Sequence, residues 1–260
     1  MKTMPFTAAL IASLIALAAA QDSRVPQASL DREVHLRVSA QADVLGNTPK
    51  QSPTPPEYCK PCLFYAGDFD SNASDANGLA NEVDVIVSTG AAVYTPFIVP
   101  KGKTWTVTGL FTDNFMLSGA YVDPKISPYE IRKSIPKAGG SGGKLVCHGT
   151  GATTLVDTGN VFLIVATIVS NIQGCRLPAG KYWMSVVPYC TNSNTCQGGD
   201  WRAFLANDDG AMNHRYGPLE PANDSFFNSV FFNAVWEPSS EQQTSARFSV
   251  GAEGTSQKAR

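Results

Sequence analysis

Charge is scarce in this chain. Only 16% of its 260 residues are Asp, Glu, Lys or Arg, against about 25% in an average soluble domain. Intrinsic disorder and coiled coil both need more charge, so neither describes the chain as a whole. The 20 basic and 22 acidic residues nearly cancel, to a formal −2 with a pI near 5.9. That is no electrostatic footprint for nucleic acid or for an anionic membrane surface. Histidine is rarer still, with three in the sequence. An HExxH pair, a P-loop and a dinucleotide fingerprint are all missing, which removes the motif support for the enzyme classes built on them.

Long apolar runs are confined to the first twenty residues. Lys2 precedes a mostly apolar stretch over 6–17, and Ala18-Ala19-Ala20 puts small residues before Gln21. This is the layout of a cleaved secretory signal, and the run is short of the roughly 20 residues a spanning helix needs. Its removal takes Lys2 as well, leaving 19 basic residues against 22 acidic ones. No later stretch is long enough to span a bilayer, and 251–260 is polar with no sorting tail. The expected mature protein is secreted, soluble and extracellular, with no transmembrane segment.

Turn formers are abundant, with 22 Gly and 17 Pro, and helical periodicity is absent beyond the signal. Residues 21–57 read as a flexible leader: 34–38 alternates like a short strand, and Gln51-Ser-Pro-Thr-Pro-Pro56 is an extended linker. From Cys59 onward, short β-prone runs are separated by Gly, Asn, Asp and Pro. Strands are expected at 62–65, 83–88, 93–99, 104–111, 129–133, 144–148, 161–169, 180–187, 203–206, 226–236 and 247–251. The run 104–111 alternates as a strand with one wet face should. The run 161–169 is almost continuously apolar and reads as a central strand buried on both faces. The sum is an all-β chain, a single two-sheet β-sandwich with jelly roll as the leading topology, over 58–252. A polar tail over 253–260 would follow it. The Gly-rich segment 138–143 reads as a hairpin loop, because the strands on either side need each other to close a sheet.

Three segments carry a resemblance. They are Leu63-Phe-Tyr-Ala-Gly-Asp-Phe-Asp70 with Asn77-Gly-Leu-Ala-Asn-Glu82, Phe97-Ile-Val-Pro100 leading into Thr104–Phe111, and Leu177-Pro-Ala-Gly-Lys-Tyr-Trp183. Together they resemble a group of uncharacterised secreted proteins, mostly bacterial, with β-sandwich folds. The third looks like a strand of pre-peptidase C-terminal and related jelly-roll domains. The resemblance implies the fold and secretion; it implies no activity and no catalytic residues.

Six cysteines, an even number in a chain read as secreted, point to disulfides. Cys190 and Cys196 flank a short polar loop and are expected to pair. Cys147 and Cys175 sit at strand ends around 161–169, a plausible second bridge. Cys59-Lys-Pro-Cys62 has the spacing of a redox or zinc motif. A redox thiol wants a helix N-terminus, whereas a strand-like Leu-Phe-Tyr follows here. Zinc wants a second ligand pair, which the sequence lacks. A structural disulfide is the expectation.

Oxygen donors cluster at Asp68, Asp70, Glu82 and Asp84. If they lie on neighbouring strands, four carboxylates converge, which is costly unless a cation neutralises them. Ca²⁺, which takes six to eight oxygens in irregular loops, is the cofactor that fits. The other reading is an Asx-rich turn whose side chains cap backbone amides. The segment is no EF-hand, since the sixth position from Asp68 is Ala73 and the twelfth is Leu79.

Among the histidines, His35 falls in the leader and His148 lies beside Cys147. His214 sits in a polar stretch and could be set with Asp208 or Asp209, but no nucleophile elbow accompanies it. Extracellular recognition has more to stand on. Aromatic side chains on a sandwich face stack on sugars while Asp, Asn and Arg fix hydroxyls, and Trp201, Arg202, Asp208 and Asp209 supply that mixture. Trp105, Trp183 and Trp236 lie in expected strands and read as core. The expected partner is therefore an extracellular carbohydrate or surface component. A structural or adhesive surface protein, and a hydrolase with a carboxylate or His214-based site, are the alternatives. Asn72-Ala-Ser74 and Asn223-Asp-Ser225 are glycosylation acceptors in a host that uses them.

Overall fold

The computed structural model describes residues 35–37, 55–69, 77–84, 89–116, 126–159, 164–190, 203–208, 216–218, 225–242 and 247–259. The fold is all-β. Fourteen strands are linked through one network of ladders: β1 (His35–Arg37), β2 (Cys62–Tyr65), β3 (Asn77–Ala80), β4 (Glu82–Asp84), β5 (Thr89–Met116), β6 (Ser127–Lys133) and β7 (Lys144–Gly151). They continue with β8 (Thr153–Asp157), β9 (Ile164–Val186), β10 (Tyr189–Cys190), β11 (Ala203–Ala206), β12 (Phe226–Ser229), β13 (Ala234–Pro238) and β14 (Val250–Lys258). Among the described residues the helical content is a single 3-10 turn at Ser239–Glu241.

Two long strands form the spine. β5 and β9 run antiparallel from Thr95 opposite Met184 to Phe115 opposite Ile164. Phe97 and Trp105, both on β5, show how the spine is bent. Eight residues of extended strand would put them about 26 Å apart. Their rings are 6.1 Å apart and nearly parallel. The strand therefore folds over between them, at the register break from Val99 to Thr104, where Gly102 has φ +74°. The opposing break in β9 runs from Pro178 to Gly180, so both strands turn at the same corner. Each supplies a half to both layers of a sandwich.

The layers grow outward from this spine. One half of β5 is flanked by β14 and β11, and β8 flanks the matching half of β9. The other half of β5 carries β12 and β4, and that half of β9 carries β6, with β7 beyond it. Phe64 on β2 stacks on Phe97 at 4.9 Å and on Trp105 at 6.2 Å, tying the layers together. Such offset aromatic pairs are worth about 0.5–1.5 kcal/mol beyond their area burial.

Several expectations are met closely. Strands 62–65 and 203–206 are β2 and β11, and 138–143 lies in the loop of the β6–β7 hairpin. Residues 164–169 are buried or nearly so on both faces. Other expectations need correcting. The runs 93–99 and 104–111 are one strand, and so are 161–169 (from Ile164) and 180–187 (to Val186). At the corner the β9 ladder is interrupted, and β5 is held instead by Lys103 opposite Lys258 and by the Ala259 amide donating to the Gly102 carbonyl. The run 226–236 is a hairpin, because Asn233 takes φ +55° and its amide bonds back to Val230. The polar tail is part of the sheet as far as Lys258, with Gly254 to Lys258 opposite Val107 to Lys103. Backbone hydrogen bonds hold this edge, so side-chain hydropathy gives no sign of it. One face of 104–111 is less wet than expected, because Tyr58, Cys59 and Tyr65 cover Phe111. His35–Arg37, within the stretch read as leader, pairs with β3. The signal segment lies outside the described residues.

Candidate functional site

Alternation along β6 separates its side chains. Ile131 points into the main core, and Glu130 and Arg132 point to the outer face. Arg132 lies directly opposite Trp183 of β9, and Tyr94 of β5 lies opposite Phe226 of β12. A second, smaller apolar cluster thus forms outside the sheet from Tyr94, Ile135, Trp183 and Phe226, with Trp236 of β13 packed against it. The Arg132 guanidinium stacks 4.6 Å from the Trp236 ring and 5.7 Å from the Tyr94 ring. Arg132 Nε and the Tyr94 hydroxyl both donate to Glu130 Oε2, at 2.6 and 2.8 Å. Arg132 Nη1 donates to the Gly142 carbonyl at 3.2 Å.

This patch is partly open: the Arg132 and Glu130 side chains are 17% and 29% exposed and Trp236 is half-buried, while Tyr94 lies buried beneath them. Burial opposes the Arg132 charge, but the hydrogen bond and charge of Glu130 outweigh it and hold the guanidinium above its ordinary pKa. Burial, followed by the Glu130 charge, pushes the Tyr94 phenol well above its usual range. Trp236 has φ +54°, a conformation that costs a bulky residue about 1–3 kcal/mol and concentrates at functional positions. The Gly-rich loop accommodates it. A Cβ on Gly139 would run into the Trp236 carbonyl oxygen, one on Gly142 would run into the indole, and the Gly140 amide donates to that carbonyl.

A second polar cluster is sealed inside. Tyr65 Oη lies 2.7 Å from both Asp113 Oδ2 and Asp68 Oδ1. Ser249 Oγ lies 2.6 Å from both Asp113 Oδ2 and the Gly67 carbonyl, and Tyr58 donates to Asp113 at 3.1 Å. The Tyr65 and Ser249 hydroxyls bring two protons to four short oxygen contacts, so a proton on Asp113 serves a third contact. Burial pushes Asp113 up to about 6, against the pull of its hydrogen bonds from Ser249 and Tyr65. With Asp113 only 2% exposed, the role of this cluster is to join β2, β5 and the segment before β14. Alongside it, Asn114 donates to Thr112 and Thr167, and Asn81 bonds Asn114 and the Val186 carbonyl. These bonds satisfy buried polar groups that would otherwise cost about 1–3 kcal/mol each.

The residues expected to form sites are dispersed or lie elsewhere. Asp68 is outside any strand and accepts from Tyr65. Glu82 is buried in β4 and accepts from the Ala203 amide at 2.9 Å. β2 pairs with β14 and β4 with β5 and β10, so the two acidic segments are not on hydrogen-bonded neighbours. Asp70 and the Asp84 side chain lie outside the described residues. Among the described residues no three His, Cys, Asp or Glu side chains group to hold a metal. Asp208 is buried; Trp201, Arg202, Asp209 and His214 lie outside the described residues. Trp105 and Trp183 are core, as expected, and Trp236 is half-buried, packed against the outer cluster. His148 sits within β7 opposite Glu130.

Cys59–Cys62 and Cys147–Cys175 are disulfides, as the sequence suggested. Cys190 is also disulfide-bonded, and Cys196 lies outside the described residues. Two signals for the outer patch were legible: Glu130 and Arg132 share one face of an expected strand, and the Gly-rich loop follows them. Comparison of the chain with models of protein families, with curated proteins and with solved structures finds no match.

Proposed function

We propose that the protein is a secreted recognition module that binds an extracellular carbohydrate or surface component without catalysing its turnover. The observation that carries this reading is the outer patch of Glu130, Arg132 and Trp236, backed by the buried Tyr94. It combines aromatic surface with a charged donor and acceptor, preorganised by a rigid sheet and a glycine-rich clamp. Aromatic rings present flat apolar area to a sugar ring, and a guanidinium–carboxylate pair offers directional partners to its hydroxyls. The disulfides are consistent with an oxidising compartment, and the signal-like first twenty residues give the same destination.

The test is titration of the oxidised protein with a panel of glycans, read by tryptophan fluorescence and calorimetry. Arg132→Lys keeps the charge and loses the planar fork, and binding should weaken about tenfold, equivalent to ~1.4 kcal/mol. Trp236→Ala should abolish the fluorescence response. Glycan binding unchanged in both variants, or no binding across the panel, refutes the proposed site.

A further inference from the structure

The corner where the long strands fold over gathers four stretches, 98–106, 131–144, 176–184 and 254–258. They contain nine of the chain's 20 Lys and Arg residues and none of its 22 Asp and Glu residues. Glu130 and Glu253 lie one position outside them, and Glu130 pairs with Arg132, which leaves eight cations in excess of that pair. In a protein of formal charge −2, that segregation produces a local positive field at one end of the sandwich.

The register makes the concentration specific. Lys103 of β5 lies directly opposite Lys258 of β14, and Lys133 of β6 lies directly opposite Lys144 of β7. Like charges in directly opposed positions destabilise a sheet, and an anion seated between them relieves that cost. The pairs converge on one corner. The Lys133 ammonium lies 3.8 Å from where a Cβ on Gly180 would stand, and Gly180 is opposite Val99, two residues before Lys101. Lys101, Lys103, Lys144 and Lys258 are exposed. On the outer face, Lys181 Nζ lies 5.1 Å over the Trp183 ring, and Trp183 is opposite Arg132. The basic corner is therefore continuous with the aromatic patch.

Resting on the carbohydrate reading above, we infer that the ligand class is an acidic polysaccharide, a glycan chain bearing carboxylate or sulfate groups that cross the corner while its sugar rings meet the patch. One isolated anion would relieve a single lysine pair, whereas a chain with repeated charges spans both. The lysine ammoniums supply strength and salt dependence, and the aromatic patch supplies the preference for sugar over other polyanions.

The experiment measures binding of heparin and polygalacturonate at several salt concentrations, with dextran as the uncharged glycan and single-stranded DNA as a non-sugar polyanion. Lys103→Ser/Lys258→Ser removes one opposed pair from exposed positions, and Lys133→Ser/Lys144→Ser removes the other. A cooperative melt checks that each variant is folded. The expected result is an acidic glycan bound at least tenfold more tightly than dextran, with affinity falling steeply with salt and at least tenfold in either variant. Dextran bound as well as the acidic glycans overturns the inference and leaves the recognition reading standing. Loss of all glycan binding overturns both. DNA bound as tightly as the glycans, or acidic-glycan affinity unchanged in both variants, also overturns the assignment.

Discussion

Asp113→Asn tests the buried cluster through its pH dependence. In the folded protein burial raises the Asp113 carboxyl from 3.8 to about 6. Because the folded-state value is the higher one, the unfolded chain loses this proton first as pH rises. The contribution of Asp113 is fully present below about pH 3.8 and is lost as pH climbs through about 6. At about 1.36 kcal/mol per unit, the loss is of order 3 kcal/mol, a large share of the total stability of an ordinary domain. Asp68, Tyr58, Tyr65 and Ser249 all face the carboxyl, and none supplies a compensating positive charge. Asn cannot ionise, yet it keeps an oxygen to accept from Tyr65 or Ser249. Urea unfolding of both proteins from pH 3.5 to 7.5 isolates the effect, since the other carboxylates cancel in the difference. The wild type should lose about 3 kcal/mol relative to Asp113→Asn, most of it between pH 4 and 6. A flat difference, or a wild type that gains on the variant with rising pH, would refute the assignment of a buried, proton-holding carboxyl.

Three further outcomes are expected. Replacing Cys147 and Cys175 together by Ser opens a bridge of sequence separation 28 and should cost about 3.5 kcal/mol in urea unfolding; a cost under about 1 kcal/mol would mean that the β7–β9 contact holds without it. Gly142→Ala drives a methyl group into the Trp236 indole and towards Arg132. It should destabilise by about 1–3 kcal/mol and shift tryptophan emission, and an unchanged spectrum would contradict the clamp. Burial raises Tyr58, Tyr65 and Tyr94 above their ordinary value of 10.0. Stability should therefore fall as pH rises past about 10, with those phenols staying protonated in absorbance titration until the chain unfolds; their titration in the folded protein would count against it.

Local chemistry wrote much of this fold into the chain. β-branched and aromatic runs separated by Gly, Asn and Pro marked β2, β6, β7 and β11, because strand propensity and turn conformation act within a few residues. The even cysteine count and the spacing around the central strand anticipated Cys147–Cys175. The outer patch was half legible, since Glu130 and Arg132 share a face by the two-residue period, but their partners Tyr94 and Trp236 come from other strands.

The sequence by itself determined the class of the fold and the strand-forming runs, and it suggested the pairing of Cys147 with Cys175 that the structure fixes. Only the tertiary structure decided that residues 89–116 are one strand folded at Gly102, since that fold depends on Phe97 and Trp105 finding Phe64. The same holds for Asp113 and Ser249, which are 136 positions apart and 2.6 Å from each other. A buried carboxyl is tolerated only where distant strands deliver its hydrogen-bond donors, and a lysine corner exists only where folding brings four acid-free stretches to one end. Contacts of that kind are set by register and by the collapse of the whole chain, to which a local pattern of residues is blind.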